Sequence, residues 1–234
     1  VYLYMDKAIL DKANNWSNNK YFDAEAKREI QELIDQNNEK ELTERFYKNL
    51  EFGTGGIRSI LGMGINRINK YTIRKATQAL ASVILSSGTN QKIAISYDSR
   101  KFSFEFAQEA ASVMAANGIK AYIYKRLNPV CLLSFAVREL NAQAGIMITA
   151  SHNPPEYNGY KVYWDDGAQV TPPYDQKIID EYNSVDSFET IKYISFNEGI
   201  KTEMIQWIGQ EMEDKYFSML SKTFTNPKMC KDHG

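Results

Sequence analysis

The chain has 234 residues, with 28 Lys+Arg against 29 Asp+Glu and a formal net charge of −1. That balance, with no basic block, leaves out nucleic acid as a partner, and no apolar run approaches the ~20 residues that cross a bilayer. Cys131 and Cys230 are too few for a disulfide framework or a Cys-rich zinc site, and "VYLYMDKAIL" lacks a secretory h-region, so a reducing cytoplasm is the expected compartment.

The first ~50 residues read as helix: in "DAEAKREIQELIDQ" Asp23 is a plausible N-cap, and Ala26, Ile30, Leu33 and Ile34 share one face. A Gly-rich stretch, "FGTGGIRSILGMGINRIN", follows, interrupted by the apolar run from Ile57 to Leu61. From Tyr71 the pattern becomes regular: a helix to Ser86 ending near Gly88, the strand "KIAISY", a helix from Phe104 to Asn117 and the strand "KAYIY". Asn128-Pro129 opens another helix through Leu140, "AGIMIT" is a buried-type strand, and "YKVYW" is one more before a turn at Asp165-Asp166-Gly167. Pro172-Pro173 starts a helix towards Tyr182, and "WIGQEMEDKYFSMLSKTF" has a helical pattern. The alternation predicts a layered α/β/α sandwich with a mixed, largely parallel sheet behind an N-terminal helical extension. A boundary is expected near Ile205, with 1–205 as one α/β domain and 206–234 as a linker helix and the truncated start of a second domain.

The stretch "TASHNPPEYNGYKVYW" displays Ser151 just past a strand, at the carboxyl edge where open α/β sheets place ligands. Acyl transfer would need a histidine base and an orienting carboxylate, but His152 is the immediate neighbour, His233 lies in the terminal stretch, and no G-x-S-x-G elbow occurs. Phosphoryl transfer needs a serine oxygen with cations and amides around it. Lys161 and Arg58 are such cations, Asn153 adds an amide, and Gly53, Gly55 and Gly56 free backbone N–H groups beside Thr54. Taken singly, each piece is ordinary: turn residues, a surface lysine, half of a surface ion pair. Their joint occurrence on two punctuated loops beside strands favours the phosphate reading.

"TASHNPPEYNGYKVY" resembles the phosphoserine loop of the α-D-phosphohexomutase superfamily, the phosphoglucomutases and phosphomannomutases, and "EFGTGGIR", "GMGINRIN" and "SYDSR" occur in that family's order. The resemblance covers about residues 10 to 225, and "ELTERFYKNLEFGTGGIR" is similar to the branch with phosphoglucomutases and phosphopentomutases. It implies that Ser151 is the phosphoryl carrier, that His152 and Lys161 handle protons, and that Arg58 helps hold the phosphate. Gly53, Thr54, Gly55 and Asn153 would shape the cradle, and Asp98 and Arg100 would brace the loops or serve structure alone.

The implied reaction interconverts hexose 1-phosphate and hexose 6-phosphate through a sugar bisphosphate that also acts as activator. Glucose is preferred, with mannose as the neighbouring choice. Phosphopentomutase activity and a non-catalytic phosphosugar-binding module are the alternatives. The implied Mg²⁺ takes one ligand from phosphorylated Ser151 and the rest from a D-x-D-x-D loop, a spacing this chain lacks. Ser59 also stands where the family has a glycine. The implied picture is an N-terminal piece, inactive by itself, whose partners are a sugar phosphate and the remaining domains of the same polypeptide.

Overall fold

The computed structural model describes residues 6–53, 55–87 and 90–223. Three helices come first: α1 (Lys7–Asn18), α2 (Ala24–Asp35) and α3 (Glu39–Phe46). Asp23 caps α2 as its sequence position predicts, its carboxylate accepting from Ala26 N at 2.9 Å. The faces of these helices bury Trp16, Ile30, Leu42 and Phe46 together with Phe22 and Tyr71. Trp16 stacks on Phe22 with centroids 3.8 Å apart and meets Tyr71 edge-on at 5.7 Å.

The extension grips the loop that follows the first strand, β1 (Gly56–Ile60). Arg45 Nη1 donates to Met63 O at 3.0 Å, Asn66 Nδ2 to Glu44 O at 2.8 Å, and buried Arg67 pairs with Glu44 at 3.0 Å and Glu41 at 3.4 Å. The loop then enters α4 (Lys70–Ser87) through Asn69, whose Oδ1 accepts from Tyr71 N and Thr72 N.

The remaining elements are β2 (Lys92–Tyr97), α5 (Ser103–Ala116), β3 (Lys120–Tyr124), α6 (Val130–Glu139), β4 (Ala144–Ile148), β5 (Tyr157–Trp164), α7 (Tyr174–Ser184), α8 (Phe196–Lys201), β6 (Ile205–Ile208) and α9 (Gln210–Ser221). Among the described residues they build one six-stranded sheet in the order β1-β5-β4-β2-β3-β6. β4, β2, β3 and β6 are parallel, whereas β5 runs antiparallel to both β4 and β1. Side chains alternate with the strand period: Ile93, Ile95, Ile146 and Ile148 join α4, α5 and α7 on one face, while Ala94 and Met147 join α6 and α9 on the other. The result is the expected α/β/α sandwich with a mixed, mostly parallel sheet.

The boundary expected near Ile205 falls at the start of a strand of this same sheet. Ile205–Ile208 is a strand, parallel to β3 with Ile205 opposite Ala121, and α9 packs Met212 and Tyr216 against the α6 face. The helix expected in "WIGQEMEDKYFSMLSKTF" is present but begins at Gln210, because "IQWI" is a four-residue strand, too short to show its own period beside the amphipathic helix that follows it. β5 also begins at Tyr157, three residues before the expected "YKVYW". Gly88, Cys230 and His233 lie outside the described residues.

Candidate active site

β2 and β4 are parallel neighbours with Tyr97 opposite Ile148, so the loops leaving them, Asp98–Arg100 and Thr149–Pro154, emerge side by side at one edge of the sheet. Ser151 sits at φ +58, a left-handed conformation that is costly for a residue with a Cβ, and its N–H donates to Thr149 Oγ1 at 2.9 Å. The chain returns through β5. There Tyr160 and Val162 enter the core, so Lys161 alternates to the opposite face.

Lys161 Nζ donates to Ser151 Oγ at 2.6 Å. Burial pushes the Lys161 ammonium below the usual lysine range, and the positive charge of Arg58 pushes it further down. Arg58 comes from β1, where it pairs with Gly159, and its Nη1 donates to Asn153 Oδ1 at 2.7 Å. Gly159 is the residue that lets these layers meet, because a Cβ there would lie 2.5 Å from Thr149 O and 2.7 Å from Ile57 O. Gly56, opposite Lys161, has φ +143, and its Cβ would lie 1.9 Å from Tyr160 O. A cleft of about 310 Å³ is lined by Gly53, Gly55, Gly56, Ile57, Arg58, Lys161 and Gln169.

The structure therefore gathers Ser151, Lys161, Arg58, Asn153, Gly53 and Gly55 at one place. Thr54 lies outside the described residues. His152 is exposed and makes no side-chain hydrogen bond among the described residues. Asp98 and Arg100 sit in the adjoining loop: Asp98 Oδ1 accepts from Ser103 Oγ at 2.8 Å, and Arg100 reaches the serine loop. Ser59, at the departing glycine position, stays in strand β1 and donates to Asn66 O at 3.1 Å. Sequence reasoning missed Thr149, Gln169 and Asn158. Thr149 was legible as the residue two before Ser151, whereas Gln169 reaches the cleft only through the fold.

Chemically, the site presents one exposed hydroxyl beside two cations and an amide, with no carboxylate in contact with the hydroxyl among the described residues. That donor set suits a dianionic group on Ser151 Oγ. Among the described residues no cluster of three or more His, Cys, Asp or Glu side chains could hold a metal, and no helix is long and apolar enough to cross a membrane.

Residues 49–189 match the family model for phosphoglucomutase/phosphomannomutase, alpha/beta/alpha domain I. The chain is 37% identical over 187 residues to a phosphoglucomutase of Staphylococcus saprophyticus, covering 80% of this chain and 34% of that protein. It is 41% identical over 158 residues to a phosphopentomutase of Pongo abelii, covering 64% of this chain and 26% of the relative. It thus spans about a third or less of the length of these curated relatives. A solved Thermus thermophilus chain assigned as a phosphomannomutase superposes with TM-score 0.60 at 25% identity, over 75% of this chain and 36% of that one. Parafusin, a phosphoglucomutase from Paramecium, superposes with TM-score 0.55 at 17% identity, over 76% and 36%, and adds likeness of fold alone. With the family model spanning the cleft, the serine loop and the strands between them, the chain belongs to the phosphoglucomutase/phosphomannomutase family of the α-D-phosphohexomutase superfamily.

Proposed function

We propose that Ser151 carries a phosphoryl group and that the complete polypeptide interconverts hexose 1-phosphate and hexose 6-phosphate through a bisphosphorylated sugar. The observation that carries this reading is the 2.6 Å contact of Lys161 Nζ with Ser151 Oγ, a cation held on the hydroxyl that the strand end displays. In the first half-reaction the Oγ–P bond breaks as a P–O bond forms to the sugar hydroxyl. The sugar proton goes to a base, for which exposed His152 is the candidate, and Oγ receives a proton. In the second half-reaction the other phosphate of the bisphosphate returns: its sugar O–P bond breaks, the Oγ–P bond re-forms, and both protons move back.

Lys161 is positioned to exchange the proton at Oγ. Phosphoserine carries about −1.5 to −2 charges, so while it is loaded the phosphate opposes the depression that burial and Arg58 impose on Lys161. As the phosphoryl group departs, that opposition fades and the ammonium gives up its proton more readily, at the moment Oγ needs one. Arg58 holds Asn153 and contributes positive charge beside the cleft, while Gly53 and Gly55 line it as the cradle for the phosphate.

Mg²⁺ is the proposed cofactor, and this chain's fit to it is confined to an oxygen of the phosphate on Ser151. Lys161 and Arg58 repel a cation, Asn153 Oδ1 already accepts from Arg58 at 2.7 Å, and Asp98 is already bonded to Ser103 and Arg100. When bound, the metal neutralises charge on the transferring group. The remaining ligands and the sugar-selecting groups are assigned to other domains of the same polypeptide, in the cytoplasm. Glucose is the favoured sugar and mannose the next; a pentose substrate is the second reading, supported by the 41% identity with the Pongo phosphopentomutase.

The test is to treat the complete enzyme with glucose 1,6-bisphosphate, locate the phosphate by peptide mass spectrometry, and assay glucose, mannose and ribose 1-phosphates. Phosphate on Ser151 and turnover of a hexose phosphate are expected. Phosphate only on another residue defeats the carrier assignment, and binding without turnover makes the protein a phosphosugar-binding module.

A further inference from the structure

Four carbonyls of the serine loop converge on one guanidinium. Arg100 Nη2 donates to Ser151 O at 2.9 Å and Asn153 O at 2.6 Å, while Nη1 donates to Pro154 O at 2.9 Å and Tyr157 O at 3.0 Å. A planar fork of fixed donors can span four acceptors spread over seven residues; the point charge of an ammonium cannot. The arrangement has two physical consequences. It holds Ser151 in its disfavoured left-handed backbone, and it satisfies four carbonyl dipoles of the loop on one positive group.

Arg100 is itself held. Its Nε lies 3.5 Å from Asp98 Oδ2, and Asp98 Oδ1 accepts from Arg100 N at 3.0 Å and from Ser103 Oγ at 2.8 Å. Ser103 Oγ in turn accepts from Asn158 Nδ2 at 3.0 Å, and the same amide donates to Lys101 O at 3.0 Å. Asn158 is completely buried and lies on β5, the strand that also carries Lys161. The hydroxyl and the ammonium of the Ser151–Lys161 pair are thus both referenced to one polar cluster, Ser151 through Arg100 and Lys161 through Asn158.

We infer that Arg100 is the positioning residue of the phosphoryl-carrier loop, fixing Ser151 Oγ against Lys161, and that Asn158 registers the Arg100 loop to the lysine strand. This rests on the reading of Ser151 as carrier. Arg100 spends both Nη groups on backbone carbonyls and Nε on Asp98, so it acts on the placement of Oγ and leaves substrate affinity alone.

The experiment compares complete wild-type enzyme with Arg100→Lys and Arg100→Ala, measuring kcat, KM for glucose 1-phosphate, Ser151 phosphorylation by glucose 1,6-bisphosphate, and the thermal melt. A misplacement of about 1 Å costs on the order of 10²-fold in rate, so Arg100→Lys is expected to lose about that factor in kcat with KM unchanged and Ser151 loading slowed in parallel. Added guanidinium ion should restore part of kcat in Arg100→Ala, and ammonium should not. Should Arg100→Ala fail to fold, the charge-conserving Arg100→Lys decides alone. Phosphate on Ser151 in the wild type with unaltered kcat in Arg100→Lys overturns the inference while leaving the carrier reading standing. A loss confined to KM overturns it likewise. Wild-type phosphate found on another residue instead sinks the carrier reading, and the inference with it.

Discussion

The serine edge and the N-terminal helical clasp are both built around aromatic or charged side chains, yet they are held by opposite means. In the clasp, Trp16, Phe22, Phe46 and Tyr71 are buried against one another, and the ion pairs of Arg45 and Arg67 lie over them. At the serine edge Ser151 and His152 are exposed, and the geometry comes from hydrogen bonds to backbone: Thr149 to the Ser151 N–H, and Arg100 to four carbonyls. Packing energy secures the first region, whereas directional bonds orient a nearly unpacked hydroxyl in the second. Stability and chemistry are therefore separable by mutation in this chain.

The sharpest way to break that separation is substitution at two positions, Ser151 and Trp16. Ser151→Ala should abolish mutase turnover of the complete enzyme and shift the melt by no more than about 0.5 kcal/mol, as for other surface changes. Ser151→Gly should be equally inactive and no less stable, because φ +58 suits glycine. Trp16→Ala should do the reverse, costing about 3–5 kcal/mol in a denaturant melt while Ser151 loading continues wherever the protein stays folded. A large stability loss in Ser151→Ala, or abolished loading in folded Trp16→Ala, would show the regions to be coupled.

This contrast also explains what could be read in the sequence. Elements whose burial has a clear period were legible: Ala26 and Ile30 behind the Asp23 cap, "KIAISY", "AGIMI", and the helices between them. The strand Ile205–Ile208 was not, because four residues carry too little pattern and its partner β3 lies more than eighty positions earlier. In the site, Ser151, Lys161 and Arg58 were legible from residue type and loop punctuation. The four-carbonyl grip of Arg100 was invisible, since acceptors on backbone leave no trace in side-chain identity, and the buried Asn158–Ser103 bond was invisible because its two side chains lie 55 positions apart.

Lys161 sharpens the comparison at the next level. Lys161→Ala removes a charged donor from the transferring group and should cost about 2.7–4 kcal/mol, or ~10²–10³ in kcat, with a much smaller change in the melt. Arg58 enters through charge: burial and then Arg58 depress the Lys161 ammonium, so Arg58→Ala should let that pKa rise. The limb of the pH–rate profile that reports Lys161 should then move to higher pH. A limb that stays in place or moves down would remove Arg58 from the electrostatics of the pair.

The smallest effect belongs to the clasp. The Asp23 carboxylate caps α2 through Ala26 N and pairs with Lys70, while its own N–H donates to Tyr71 Oη at 2.9 Å. Burial pushes this carboxyl up, but Lys70 and the Ala26 N–H together outweigh it and hold it below the usual aspartate value. A depressed folded-state pKa means stability that is fully present above the unfolded value, about 3.9, and is lost as pH falls through the folded one. The carboxylate is 43% exposed, so the Lys70 pair is screened and the cap bond dominates. Asp23→Ala should cost about 1 kcal/mol at neutral pH, or roughly 2–4 °C for a domain of this size, and the gap to wild type should narrow in acid. Asp23→Asn keeps an acceptor for Ala26 N without the charge, so it should retain most of the stability and lose this pH dependence. A wild-type-like acid response in Asp23→Asn would assign the dependence to another carboxylate, and a gap for Asp23→Ala that widens as pH falls would reverse the sign derived from the folded-state pKa.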